Sequence, residues 1–141
     1  MHLSHLLDAA REVPALSIEE RYHVIRRILD FVDEQLYPHA EAEELTLYRE
    51  VAHILGNPWA TGPMIYDHLL IRRRAHELES TDLADGALLQ EHLIALHVLV
   101  STHFEKEEQL YLPLIESENE AQVQELYDRL IAYEHEHGRP C

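Results

Sequence analysis

Two histidines are each followed, four residues on, by a glutamate: His39 by Glu43 and His103 by Glu107. On a helix, residues four apart project from one face, so each pair offers an imidazole and a carboxylate to the same point. Such donors suit a borderline-hard transition metal. In a chain with 12 His and 27 acidic residues the spacing alone is weak, and the surroundings carry more. The same face continues as Leu29, Val32, Leu36, His39, Glu43 and Leu47 in one segment, and as Leu93, Leu96, Val100, His103, Glu107, Leu110 and Leu114 in another. Both stripes are otherwise apolar. Burying a carboxylate there costs on the order of several kcal/mol unless it is paired or bound to a cation. Two carboxylates at matched depth call for a shared positive partner, and metal ions would neutralise both. The alternative is that the stripes turn outward and the glutamates are solvated, helped by an arginine from the run Arg72, Arg73, Arg74.

The elements that must carry these residues are helices. Apolar residues recur at three- and four-residue spacing almost throughout, with only 4 Gly and 6 Pro as punctuation. A short first helix over residues 2–12 stops before Pro14. Ser17 to Glu20 is a capping box opening a long second helix, in which Pro38 predicts a kink or break just before His39. Gly56, Asn57 and Pro58 end that helix, and Thr61, Gly62 and Pro63 start a third that runs to about Glu79. After a turn at 80–86, a fourth helix runs from about Ala87 to Pro113 or a little past it. Ser117 to Glu120 is a second capping box, opening a fifth helix that fades at Gly138. Short connections favour antiparallel neighbours, hence an all-α, up-down-up-down four-helix bundle with an additional C-terminal helix packed outside it. The chain also repeats itself: HAEAEE at 39–44 returns as HFEKEE at 103–108, and the HLL at 5–7 returns at 68–70.

With 141 residues, 46% of them hydrophobic, the chain is the size of one domain and can bury a core without disulfides. The single Cys141 excludes an internal disulfide and a cysteine-based zinc or iron–sulfur site. A formal charge of −16 repels nucleic acid and anionic lipid, so neither is expected as a partner. No apolar run approaches the ~20 residues that span a bilayer, and no leader-like segment precedes a cleavage site, so the expected location is cytoplasmic.

The most specific motifs are PHAEAEE at 38–44 with Leu47 and Tyr48, YDH at 66–68, and HFEKEE at 103–108 with YLP at 111–113. They resemble hemerythrin-like proteins of the bacterial His-His-Glu cation-binding type, over essentially residues 1–116. That resemblance implies a single hemerythrin-like domain over 1–141, with the bundle at about 1–116 and the extra helix at about 118–137. It also implies two non-haem iron ions, oxo- and carboxylate-bridged, with one His from each bundle helix and the two repeat glutamates as bridges. Carried over by position, the ligands are His5, His39, Glu43, His68, His103 and Glu107. The oxygen-carrying hemerythrins of marine worms have a further His four places after the third-helix ligand. Here that position is Arg72, which argues against a simple oxygen carrier.

The first-helix ligand stays open on geometry. His5 lies about 12 Å from the turn at Pro14, and His39 is over ~30 Å along the next helix, so His5, His2 or another residue could complete the site. Asp67 can orient a neighbouring ligand or serve as a helix-dipole partner. Glu44 and Glu108 point about 100° away from the ligand direction and are expected in solvent or around the ligands. His23, His53, His76, His92 and His97 are expected as surface or packed residues, His135 and His137 as a frayed tail able to capture metal adventitiously, and Tyr48, Tyr66 and Tyr111 as packing residues, one of which could instead donate a hydrogen bond to a metal-bound oxygen species. The implied ligand is a small diatomic or peroxide: dioxygen, nitric oxide or hydrogen peroxide. The alternatives are a di-iron enzyme, oxidase or peroxide-decomposing, and an iron-store or interaction module.

Overall fold

A computed structural model describes residues 3–118 and 120–137. His2, Asn119 of the second capping motif, Gly138 and Cys141 lie outside the described residues. Every regular element among the described residues is helical: α1 (Leu3–Glu12), α2 (Ile18–Phe31), α3 (Tyr37–Leu45), α4 (Leu47–Leu55), α5 (Gly62–Glu79), α6 (Gly86–Lys106), α7 (Leu112–Glu116) and α8 (Glu120–His137). A 3-10 turn, Val13–Ala15, follows α1 at the expected proline. No helix is long and apolar enough to cross a membrane.

The expected starts and stops have their physical causes in place. Ser17 accepts from the backbone N–H of Glu20 (3.2 Å), whose carboxylate accepts from the N–H of Ser17 (3.0 Å), a reciprocal capping box. α4 ends at Gly56, whose φ of 63° is the left-handed conformation that side chains resist.

The long second helix is realised as α2, a π-helical turn (Val32–Leu36), α3 and α4. The fourth is α6, a π-helical turn (Glu107–Tyr111) and α7. Each π turn begins six residues before a proline, Pro38 or Pro113. A proline in a helix lacks the N–H for the carbonyl four residues back and crowds it with its ring; a wide turn at that point relieves both. Thr46 produces the remaining break, between α3 and α4. Its backbone leaves the helical region (φ −125°, ψ −78°) while its hydroxyl bonds back to the Ala42 carbonyl at 2.6 Å.

The chain divides into two compact units, Met1–Val32 with Leu69–Thr102, and Asp33–His68 with His103–Cys141. In the first, Leu6, Ala10, Val13, Ile28, Leu29, Leu78, Leu89, Leu93 and Leu96 are buried. Arg21 ties its turns: the guanidinium donates to the carbonyls of Val13 (3.0 Å), Pro14 (3.0 Å), Leu83 (2.9 Å) and Ala84 (3.2 Å). A Cβ at Gly86 would sit 2.7 Å from this guanidinium. The second unit has an apolar cluster of Leu47, Tyr48, Val51, Met64, Ile115 and Leu126, flanked by Val123 of α8. There α8 packs on α3 and α7.

The apolar stripe of the fourth predicted helix is buried as far as Glu107 and then departs from expectation. Leu110 is 59% exposed beside a half-buried Tyr111, and Ile115 at 1% takes the inward place expected for Leu114. The π turn inserts an extra residue into the helical count, which rotates everything after it.

Candidate metal centre

Both repeat glutamates face inward, Glu43 2% and Glu107 8% exposed, which excludes the outward-turned stripes. His68 and His103 are buried with them. One donor atom from each of the four lies within 4.8 Å of all the others. All four belong to the second unit.

The geometry around each imidazole is alike. The Nε2 atoms of His68 and His103 are 3.0 Å apart, and that of His103 is 2.7 Å from Glu107 Oε1. His68 Nε2 is 4.0 Å from Glu43 Oε1. The Nδ1 atoms point away to other carboxylates, His68 to Glu44 (3.1 Å) and His103 to Asp67 (3.0 Å). Lys106 backs Asp67 at 2.5 Å. A carboxylate on Nδ1 can hold a proton there and so free Nε2 to meet a cation as a lone pair, the arrangement that prepares a histidine for a metal. Without a metal a proton on His103 Nε2 serves Glu107 at 2.7 Å; a cation among the four donors would take the place of that proton.

Protonation shows the same demand. Glu43 is pushed up to about 11 by burial, by its hydrogen bond and charge repulsion with Glu107, and by the charge of Glu134. Burial pushes Glu107 up as well, but hydrogen bonds from His103 and Glu43 and the charge of His103 outweigh it and hold it down at about 2. The pair therefore retains one proton at neutral pH, standing where a cation can bind. Burial and the charge of His103 lower His68 against the pull of Glu44. For His103 burial is outweighed by Glu107 and Asp67, and the net shift is upward. Tyr48 donates to Glu107 at 2.8 Å and lies 3.1 Å from His103 Nε2 and 3.4 Å from His68 Nε2. Burial and the two glutamate charges raise it strongly, so the phenol stays protonated. The donor set of carboxylate oxygens and imidazole nitrogens fits a divalent or trivalent cation.

His39 stands at the rim, 38% exposed, with Nε2 3.2 Å from Glu43 and Nδ1 on Glu134 of α8. His5 is not brought to this group. It is exposed on α1 in the first unit, where it lines a groove of about 290 Å³ with Asp8, Glu12 and Arg27. Of the other histidines, His23, His53, His76 and His135 are exposed, His92 is buried beside Arg74 (3.1 Å), and His97 meets the Leu3 carbonyl. The side chain of His137 lies outside the described residues.

The sequence does not single out Tyr48 from Tyr66 and Tyr111 as the tyrosine at the centre, and it gives Glu134 no role. The Leu47-Tyr48 pair was visible, but the break at Thr46 that accompanies its inward placement was not. Glu134 is one of several evenly scattered acids on α8, and nothing local marks it.

Residues 2–115 match the Hemerythrin family, described as the hemerythrin HHE cation binding domain. No curated protein and no solved structure matches the chain.

Proposed function

The chain belongs to the hemerythrin HHE cation-binding family, and from that premise we propose that it holds a carboxylate-bridged pair of non-haem irons and handles dioxygen, nitric oxide or hydrogen peroxide. The observation that carries this reading is the convergence of Glu43, His68, His103 and Glu107 at one buried point, each offering a donor atom within 4.8 Å of the others. The proposed ligands are His39, Glu43, His68, His103 and Glu107. His5, exposed on α1, is not included. The proposed arrangement of the helices is the family's up-down-up-down bundle, with α8 added to it.

Iron held by these donors supplies Lewis acidity and electron transfer toward a small ligand. The chain's own residues supply the rest. Once a cation displaces the proton on the pair, Glu43 and Glu107 would provide two negative charges that burial keeps unscreened. Asp67 and Glu44 hold the imidazoles of His103 and His68 in the tautomer that presents Nε2 inward. Tyr48, 1% exposed, closes one side of the group to water and keeps a hydroxyl proton beside Glu107. A buried O–H donor next to the centre suits polar diatomic or peroxide ligands, which accept hydrogen bonds.

Metal analysis of the purified full chain, with optical spectra in air and after anaerobic reduction, tests the reading. About two irons per chain and near-ultraviolet charge-transfer bands that bleach on reduction are expected. Folded protein that refuses iron on reconstitution would refute it.

A further inference from the structure

Glu134 lies outside the matched residues 2–115, on a helix the family motif does not include, yet it reaches the one candidate ligand that is not enclosed. His68 and His103 have side chains 5% and 2% exposed, and His39 has 38%. An imidazole on a solvent-facing rim is free to rotate or exchange tautomers unless its second nitrogen is held. Each buried imidazole has its holder on another helix within the matched residues, Glu44 of α3 for His68 and Asp67 of α5 for His103. For His39 the holder comes from 95 residues away. A second bond follows the same seam, Tyr133 donating to Glu41 at 3.3 Å.

α8 also has an anchor that does not depend on this pair. Leu126 is buried and Val123 is packed in the apolar cluster with Tyr48 and Ile115. The body of α8 is thus held by apolar contact, while its last turns meet α3 through hydrogen bonds to residues flanking and including His39.

We infer that Glu134 is a positioning residue for the metal site: it fixes the His39 tautomer that aims Nε2 at Glu43, and so couples metal occupancy to the docking of the last turns of α8. The inference rests on His39 being a ligand. Coupling is reciprocal: if Glu134 strengthens the binding of one ion by some factor, that ion strengthens the hold on the end of α8 by the same factor. Removing a carboxylate behind a ligating histidine costs about 10–100-fold in metal affinity, which sets the expected size.

The test uses the full chain, stripped of metal and titrated anaerobically with Co(II), followed by its ligand-field absorption and by amide hydrogen exchange. Wild type should take up two ions per chain, with exchange in the last turns of α8 slowed on loading. Glu134→Ala should keep the first ion and bind the second about 10–100-fold more weakly, with no change in α8 exchange on loading. Glu134→Gln retains an oxygen that accepts from Nδ1, so it should fall between the two; it also guards against a folding defect in the alanine variant. His39→Ala reports on the underlying reading and should lose the second ion outright. If His39→Ala loses that ion while Glu134→Ala binds both as wild type does, or while α8 exchange in wild type ignores loading, the coupling is overturned and the metal-site reading stands. If His39→Ala binds two ions as tightly as wild type, both are overturned.

Discussion

Glu43 and Glu107 differ only in their neighbours, and that decides which of them holds the proton. Glu107 receives hydrogen bonds from Tyr48 and His103, whereas Glu43 has the rim histidine and a second carboxylate, Glu134, for company. Because Glu43 titrates higher in the fold than in the unfolded chain, its contribution to metal-free stability is full below about pH 4.5 and is lost as pH rises toward about 11. Glu107 acts oppositely: its contribution is present above about 4.5 and is lost as pH falls toward about 2. The raised His103 adds to the loss on the alkaline side, and the lowered His68 opposes it. Metal-free protein should therefore melt at a higher temperature at pH 5 than at pH 8, and Glu43→Gln should flatten that slope. An unchanged slope in Glu43→Gln would show that the proton resides elsewhere. The neighbouring acids separate in the same way. Glu44 holds His68, while Glu108 is exposed. Glu44→Ala should weaken metal binding about 10-fold and Glu108→Ala should leave it unchanged, as measured by metal titration.

Among the elements, the two π turns show how a proline reshapes a helix without ending it. The first comes just before α3 and its His39; the second begins at Glu107 itself and turns Leu110 outward. Wide turns of this kind gather at functional positions because they re-aim side chains that a regular helix would place elsewhere. The connections are held by a different device. One guanidinium, Arg21, satisfies carbonyls in both the turn after α1 and the turn before α6. Charge-assisted bonds to turn carbonyls are strong, so Arg21→Ala should cost about 2–3 kcal/mol in chemical denaturation. Arg21→Lys should recover only part of this, since an ammonium cannot span four carbonyls with a planar fork. A loss within about 0.5 kcal/mol for Arg21→Ala would mean that water replaces the guanidinium without penalty.

For the whole molecule, 27 acids against 11 Lys and Arg make compactness electrostatically costly, and the candidate centre concentrates part of that cost in one unit. A cation bound there relieves it locally. At a free metal concentration 100 times its Kd, binding stabilises the fold by about 2.7 kcal/mol. Chelation should accordingly lower Tm by on the order of 10 °C. Hydrogen exchange should slow on metal loading mainly in 33–68 and 103–137, with 3–32 and 69–102 changing least. Protection spread evenly along the chain would contradict a centre built from the second unit alone.

The sequence by itself determined the helices and the two faces that carry His39, Glu43, His103 and Glu107, because a 3.6-residue period and the stops at Gly56 and Pro58 act within a few residues. It also carried the family motif, and with it His68. Only the tertiary structure decided which of these groups meet and what stands behind them. The break at Thr46, Tyr48 among the imidazoles, Asp67 on His103 and Glu134 on His39 join positions 20 to 95 residues apart or hinge on one off-helix residue. His5 shows the converse. It shares its His-Leu-Leu with His68, yet it lies exposed on α1 while His68 is buried among the carboxylates. Local pattern records which face of a helix is apolar; which faces come together is settled by packing between helices, where one extra residue in a π turn is enough to exchange Leu114 for Ile115.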